Sequence, residues 1–148
     1  MTVGPILFYM DGLKEAHQNK DSRHALQGPE SISDSITRKS VTLLTDVVEQ
    51  VLIPHSAEID YLDPKNPLVM IFPAAPLKHN THYAISVIAA TDENGRKLPR
   101  TKGMVNIMKA TNSKIRTRFV SKVIPAIQTA APWFSLKKEP ESLQLLFD

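Results

Sequence analysis

The chain has 148 residues, of which 42% are hydrophobic and 22% charged, values ordinary for one globular domain with its own core. It contains no cysteine, which excludes disulfide bonds, thiolate catalysis and zinc sites built from cysteine. The formal net charge is +3 and aromatic residues make up 6%, without interleaving with the basic residues, so we do not expect a nucleic-acid partner. No apolar run reaches the roughly 18 residues that a membrane span requires.

The N-terminal half of the chain is predicted to form short strands. Residues 4–12, GPILFYMDG, are an apolar run closed by a turn signal, which is typical of a buried strand. Residues 18–38 are polar and lack apolar periodicity, so we predict a long loop there. Further strands are predicted in SVTLLTD (40–46), VLIPHSAEIDYLDP (51–64) and LVMIFP (68–73). Eleven prolines against five glycines favour such short strands and turns over long helices.

A further strand and its hairpin turn are predicted between residues 82 and 98. Tyr83, Ile85 and Val87 alternate along HYAISVIAAT and therefore share one face. Asn94 and Gly95 then form a turn signal because both residues tolerate positive φ. A return strand is expected to begin at Lys97-Leu98.

An amphipathic helix is predicted over residues 113–131. Its apolar side chains recur every four residues at Ile115, Phe119, Val123 and Ile127. The basic side chains Lys114, Arg118 and Lys122 fall on another face, which we interpret as exposed to solvent, with contact to an adjoining domain as the alternative. Pro125 is expected to kink the helix or to divide it in two.

The C-terminal segment is predicted to close the fold. Trp133 follows the helix and is expected to plug the space between helix and sheet. A closing strand is predicted to begin at Leu143, and the sequence stops while this strand is still apolar. We therefore expect a truncated strand and a chain that is a fragment of a larger protein.

Two sets of side chains are candidate metal ligands. His79 and His82 lie three residues apart, with His55 as a distant third, but a zinc site needs three or four ligands close together. Asp60, Asp63 and Asn66 present oxygen atoms that suit calcium, but their spacing differs from that of an EF-hand loop and no glycine supplies its turn. Aspartate and asparagine beside proline are ordinary turn formers. No metal or other cofactor is predicted.

The sequence offers no catalytic constellation. His55 and Ser56 are adjacent, but the nucleophile elbow G-x-S-x-G of hydrolases is missing. Glu58 and Asp60 lie two residues apart on a strand and share a face, which a solvated strand face explains as well as acid–base chemistry does. We therefore predict that the chain is not an enzyme.

The stretch LKHNTHYAISV resembles the L-x-P-x-T-x-Y-x-V pattern of fibronectin-III and bacterial Ig-like domains. The resemblance implies that Leu77 anchors the core, that Thr81 caps a turn, and that the Tyr83 hydroxyl bonds back to the main chain at a sheet corner. The proline of that pattern is replaced here by His79. This substitution makes the turn less rigid than in the family.

The resemblance extends over most of residues 36–148. The segments LLTDVVEQVLIPHSAEID and NPLVMIFPAAPLKHNTHYAISVIAATDENGRKLP are similar in order and spacing to the Ig-like N-terminal region of large secreted bacterial and algal proteins of the virulence-factor lipase type. In those proteins the region precedes an α/β-hydrolase-like domain. Residues 47–50, VVEQ, replace the usual glycine-containing turn. No nucleophile motif is present, so no catalytic residue is carried over.

These observations predict one all-β domain over residues 1–148, an Ig-like or fibronectin-III-like β-sandwich with a helical insertion before the last strand. The helix is expected to cover one edge or end of the sandwich. The predicted sandwich core consists of Ile6, Phe8, Leu43, Val69, Ile71, Tyr83, Ile85 and Val87.

The resemblance implies a non-catalytic accessory module whose partner is an adjoining domain of a larger exported hydrolase-like protein. It also implies an extracellular or cell-envelope location, although residues 1–12 lack the features of a signal peptide. Two alternatives are a stand-alone module that binds carbohydrate or calcium and a small hydrolase that uses Ser56.

Overall fold

The strands of the protein form two antiparallel sheets. The computed structural model describes residues 4–10, 26–66, 68–91, 94–110, 113–135 and 143–147. One sheet has the strand order β1-β5-β4 and the other the order β3-β2-β6-β7. The strands are β1 (Ile6–Tyr9), β2 (Thr42–Asp46), β3 (Val51–Leu52), β4 (His55–Asp60), β5 (Leu68–Pro73), β6 (Tyr83–Ile88) and β7 (Leu143–Phe147).

One helical segment lies between β1 and β2, and the others lie between β6 and β7. In chain order, the segments are a 3-10 helix (Pro29–Ile36), α1 (Lys102–Lys109), α2 (Lys114–Arg118), a π-helical segment (Phe119–Val123) and α3 (Ile124–Ala130). Side-chain caps begin two of them: the Thr101 hydroxyl accepts from the Met104 amide and the Ser113 hydroxyl from the Arg116 amide. Each cap satisfies an amide that has no partner within its helix.

The four-stranded sheet is buried on both faces. Leu43 and Leu44 are adjacent in β2 and both are fully buried, and successive side chains of a strand point to opposite faces. Leu44 packs between the two sheets, in a first core formed with Phe8, Val69, Ile71, Ile85 and Val87. Leu43 packs against the helices, in a second core formed with Met104, Phe119, Val123, Ile127 and Leu146. The order of layers is therefore three-stranded sheet, four-stranded sheet, helices.

The prediction of an all-β sandwich is wrong. The structure is mixed, because the helices form a layer over a whole sheet face instead of covering an edge or an end. That layer is needed because every residue of β2 is buried, so the second face of the sheet must also be covered by apolar side chains. The predicted sandwich core is corrected accordingly: Leu43 faces the helices, whereas Ile85 and Val87 face the other sheet.

Two predicted segments also differ from the structure. The predicted loop of residues 18–38 contains the 3-10 helix Pro29–Ile36, while residues 11–25 lie outside the described residues. The return strand expected at Lys97-Leu98 is reduced to one bridge between Thr91 and Lys97. Gly95 has a φ of +77°, which suits the predicted turn, and residues 92–93 are not described.

The predicted helix 113–131 corresponds to the continuous helical backbone of Lys114–Ala130. Its predicted apolar face is wrong at Ile115, which is 56% exposed. Pro125 lies in the first turn of α3, where a missing amide proton is tolerated, and the π-helical segment precedes it. The Ile124 amide there donates to the Phe119 carbonyl, so a wider turn accommodates the proline without ending the helix.

Gln144 joins the closing strand to the chain that leads into α1. It lies in β7 at a register shift opposite Val87 and Ile88, and its side chain is fully buried. The Ala90 amide donates to its Oε1 at 2.9 Å. Its Nε2 donates to the carbonyl oxygens of Ala90 at 2.7 Å and Leu98 at 2.8 Å. One side chain thus satisfies main-chain groups on both arms of the 90–98 turn.

Replacement of Gln144 by methionine should lower the free energy of unfolding by about 2–4 kcal/mol, because buried amide and carbonyl groups lose their partners. Urea denaturation measures the change. The control Gln128→Met, at a half-buried helical position, should change stability by less than about 0.5 kcal/mol. Equal effects of the two substitutions would contradict the role assigned to Gln144.

Candidate interaction surface

The corner predicted around Tyr83 has the following geometry. The Tyr83 hydroxyl accepts a hydrogen bond from the Lys78 amide at 3.0 Å. The Thr81 hydroxyl donates to the His79 carbonyl at 3.1 Å, and Asn80 between them has a φ of +51°. Leu77 is partly buried against the first core. His79 is exposed at the tip of this turn.

Tyr83→Phe should reduce the free energy of unfolding by about 1 kcal/mol, since the Lys78 amide loses its acceptor while the ring remains. Thermal and urea denaturation measure the loss. Tyr9→Phe is a suitable control because Tyr9 is 65% exposed. An unchanged melting temperature in Tyr83→Phe would rule out a stabilising corner bond.

The three histidines that are candidate metal ligands have different environments. His55 is buried in β4, whereas His79 and His82 are exposed. His82 contacts the guanidinium group of Arg118, whose Nη2 lies 3.2 Å from each of its ring nitrogens. Among the described residues, no group of three or more histidine, aspartate or glutamate side chains could hold a metal ion.

The side chains considered for calcium are engaged within their own loop. Asp60 Oδ1 accepts from the Leu62 amide at 2.8 Å. Asp63 Oδ1 accepts from the Lys65 amide and Oδ2 from Asn66 Nδ2, both at 3.0 Å. The hydrogen bond from Asn66, followed by that from Lys65, lowers the pKa of Asp63. These bonds are those of ordinary aspartate turns.

His55 belongs to a buried hydrogen-bond network between β4, β2 and the 3-10 helix. Its Nδ1 lies 2.9 Å from the Ile53 carbonyl and its Nε2 lies 3.0 Å from the Thr42 hydroxyl. Because a carbonyl only accepts, Nδ1 carries the proton and neutral Nε2 accepts from Thr42. The His55 amide donates to the Ser35 hydroxyl at 3.0 Å. Ser56 points to the opposite face of β4, so this histidine is not placed to activate it.

Burial lowers the pKa of His55 below its ordinary value of 6.5. Above pH 6.5 the side chain is neutral in both the folded and unfolded states. As the pH falls below 6.5, the unfolded state takes up the proton first, so stability is lost until the folded-state pKa is reached.

The free energy of unfolding should therefore decrease between pH 7.5 and pH 5, and His55→Gln should show a smaller decrease. Urea denaturation of both proteins at several pH values tests this. His79→Gln, at an exposed position, is the matched control and should keep the wild-type pH dependence. The same pH dependence in wild type and His55→Gln would exclude a buried neutral His55.

The exposed side of the helical layer carries a basic surface, which we define as Lys114, Thr117, Arg118, Ser121 and Lys122. These residues line a shallow basin of about 490 Å³. They recur three and four positions apart and therefore occupy one side of the helix. Phe119, Val123 and Ile127 occupy the buried side and fix the helix on the sheet. The basin is thus positioned by the second core.

The hydroxyl groups of the basic surface are already used as donors. Thr117 Oγ1 donates to the Ser113 carbonyl at 3.0 Å and Ser121 Oγ donates to the Thr117 carbonyl at 2.6 Å. Their lone pairs remain, so the donors that the basin offers to a ligand are the ammonium groups of Lys114 and Lys122, beside the guanidinium of Arg118, which also contacts His82. The basin therefore favours an anionic ligand.

The charges are distributed unevenly along the sequence. Residues 94–138 contain eleven lysine or arginine residues and no aspartate or glutamate, whereas the remaining residues contain seven basic and fifteen acidic ones. No acidic residue lies in the first turn of α2, where a negative charge would complement the helix dipole. Although the net charge is only +3, basic and acidic residues are therefore strongly separated along the sequence.

Two exposed aliphatic side chains belong to the same helix. Ile115 in α2 is 56% exposed and Val120 in the π-helical segment is 46% exposed. The basic surface contains no aromatic residue on which a base could stack. Cationic groups beside exposed aliphatic side chains suit the contact surface of a protein partner.

Trp133 lies at the end of the helical layer. It is partly buried against the second core, which contains both helix and sheet residues. Its Nε1 is buried and has no hydrogen-bond partner in the described structure.

Within the described parts of the chain, none of the helices is long and apolar enough to cross a membrane.

Comparison of the chain with protein-family models, curated proteins and solved structures gives no match. The resemblance noted in the sequence is therefore still a prediction, carried by the residues themselves. The sequence prediction favoured a solvated basic helix face over a surface that contacts an adjoining domain. The signal that could have identified it is the absence of any acidic residue between Gly95 and Lys138.

Proposed function

We propose that this protein is a non-catalytic interaction module that docks an acidic protein surface on its basic surface. The observation that carries the proposal is the alignment of Lys114, Arg118 and Lys122 on the exposed side of a helix whose opposite side is buried in the second core. Such a helix is a rigid support, so the backbone positions that carry the cationic side chains keep their spacing when a partner binds.

The class of partner follows from what surrounds the charges. Ile115 and Val120 add exposed aliphatic area to the same helix. A protein surface that combines carboxylates with apolar side chains complements both features, whereas a single-stranded nucleic acid would require aromatic stacking platforms. Complementary charges would chiefly increase the rate and specificity of association.

A non-catalytic role is supported by the state of the side chains considered for chemistry. His55 is buried and holds β4 against β2. The carboxylate of Asp60 accepts a main-chain hydrogen bond in its own loop. These contacts give each group a structural role.

The resemblance to the N-terminal region of secreted lipase-type proteins fits an accessory module. On that resemblance, the acidic partner would be an adjoining domain of a larger exported chain, in an extracellular or cell-envelope setting. The Tyr83–Lys78 hydrogen bond is consistent with the corner that the resemblance implies.

Binding of poly-L-glutamate, measured by isothermal titration calorimetry at low ionic strength, tests the basic surface. The wild-type protein should bind poly-L-glutamate. The double variant Lys114→Glu/Lys122→Glu should bind it at least about tenfold more weakly, because two cations of the basic surface have been replaced by anions. Binding by the wild type should weaken as salt is added.

The matched control is Lys65→Glu/Lys78→Glu, which alters net charge by the same amount at exposed positions outside the helical segments. It should retain most of the affinity. Equal losses in the two double variants would mean that only net charge matters. Tighter binding of a DNA oligonucleotide than of poly-L-glutamate at the same salt concentration would contradict an acidic protein partner.

A further inference from the structure

The three-stranded sheet presents a second charged face at the opposite side of the molecule. Ile6 and Phe8 of β1 pair with Ile71 and Val69 and belong to or pack against the first core. The alternate residues therefore point outward. Leu7 is 52% exposed and Tyr9 is 65% exposed.

The same alternation places two carboxylates on this outward side. Glu58 is paired with Met70 and Asp60 with Leu68, while Leu7 and Tyr9 are paired with the same two residues from the other edge. We define the acidic sheet face as Leu7, Tyr9, Glu58, Asp60, Leu68 and Met70. The strands β1, β4 and β5 contain no lysine or arginine.

The acidic sheet face and the basic surface occupy opposite outer layers. The first core separates the two sheets, and the second core separates the four-stranded sheet from the helices. The two charged faces of one molecule therefore cannot touch each other. Contact between them requires two molecules.

We infer that the acidic partner of the basic surface is the acidic sheet face of a second copy of this chain. The inference rests on the proposed function and names the partner of the same surface. Both faces combine charge with exposed apolar side chains: Ile115 and Val120 lie on the helix, and Leu7 and Tyr9 lie on the sheet. Their charges are opposite, so the contact is complementary in both respects.

The spacing of the charges also matches. Glu58 and Asp60, two residues apart on a strand, are separated by about 6.6 Å along it. Lys114 and Arg118, four residues apart at the two ends of α2, are separated by about 6 Å along its axis. A strand of the acidic sheet face can therefore align both carboxylates with two successive bases of the helix.

The symmetry of this contact determines the kind of assembly. Because the two contacting faces are different, a bound pair leaves an acidic face unoccupied on one molecule and a basic face unoccupied on the other. Association can continue head to tail, and no closed dimer is formed by this contact. The weight-average mass should therefore rise continuously with protein concentration.

Sedimentation velocity and light scattering at low ionic strength test the inference. The wild-type mass should rise above 16.5 kDa with concentration, pass the dimer mass without a plateau, and return towards 16.5 kDa in high salt. Lys114→Glu/Lys122→Glu and Glu58→Lys/Asp60→Lys should each remain monomeric, because each variant presents two faces with the same sign of charge.

An equimolar mixture of the two variants should associate again, because every face then finds an opposite face on the other protein. Failure of the mixture to associate would overturn the inference. Glu58→Lys alone, which retains the Asp60–Leu62 turn bond, checks that monomeric behaviour does not arise from misfolding and should weaken association by itself.

A wild-type protein that stays monomeric at the highest attainable concentration would also overturn the inference. So would a dimer plateau that neither charge reversal changes. If the wild type stays monomeric but binds poly-L-glutamate through Lys114 and Lys122, the proposed function stands and only the second copy is excluded. Loss of both properties would reject the proposed function as well.

Discussion

Two-sided burial of the four-stranded sheet is the constraint on which the rest of the structure depends. Leu43 and Leu44 are neighbours in β2, and each must be covered by a different layer. The three-stranded sheet covers one side and the helices cover the other. Without the second layer, the side chains of Leu43, Ile88, Leu143 and Leu146 would leave an apolar face in contact with water.

The helical layer has a second consequence, because a helix that covers a sheet must present its opposite side outward. That side carries Lys114, Arg118 and Lys122. The outer side of the three-stranded sheet carries Glu58 and Asp60 instead. The order of layers thus converts a separation of charge along the sequence into a separation of charge across the molecule.

The sequence predicted local structure better than it predicted the arrangement of layers. The strands containing Leu43, Ile71 and Ile85 and the helix containing Phe119 were recognised because their apolar runs and four-residue spacing depend on neighbouring residues. The helix α1 was missed, and the position of the helical layer was wrong, because a strand buried on both faces loses the alternation that would reveal its orientation. The roles of Gln144 and His55 could not be predicted either, because they depend on hydrogen-bond partners that lie far away in sequence.

A distance measurement between the two outer faces tests the order of layers most directly. The chain has no cysteine, so the double variant Tyr9→Cys/Ser121→Cys carries spin labels at these two positions and nowhere else. Double electron–electron resonance on a dilute sample in high salt should give one narrow distribution centred beyond about 25 Å, since two layer spacings of about 10 Å separate the backbones. A distance below about 20 Å, or a broad distribution, would contradict opposite placement of the basic surface and the acidic sheet face.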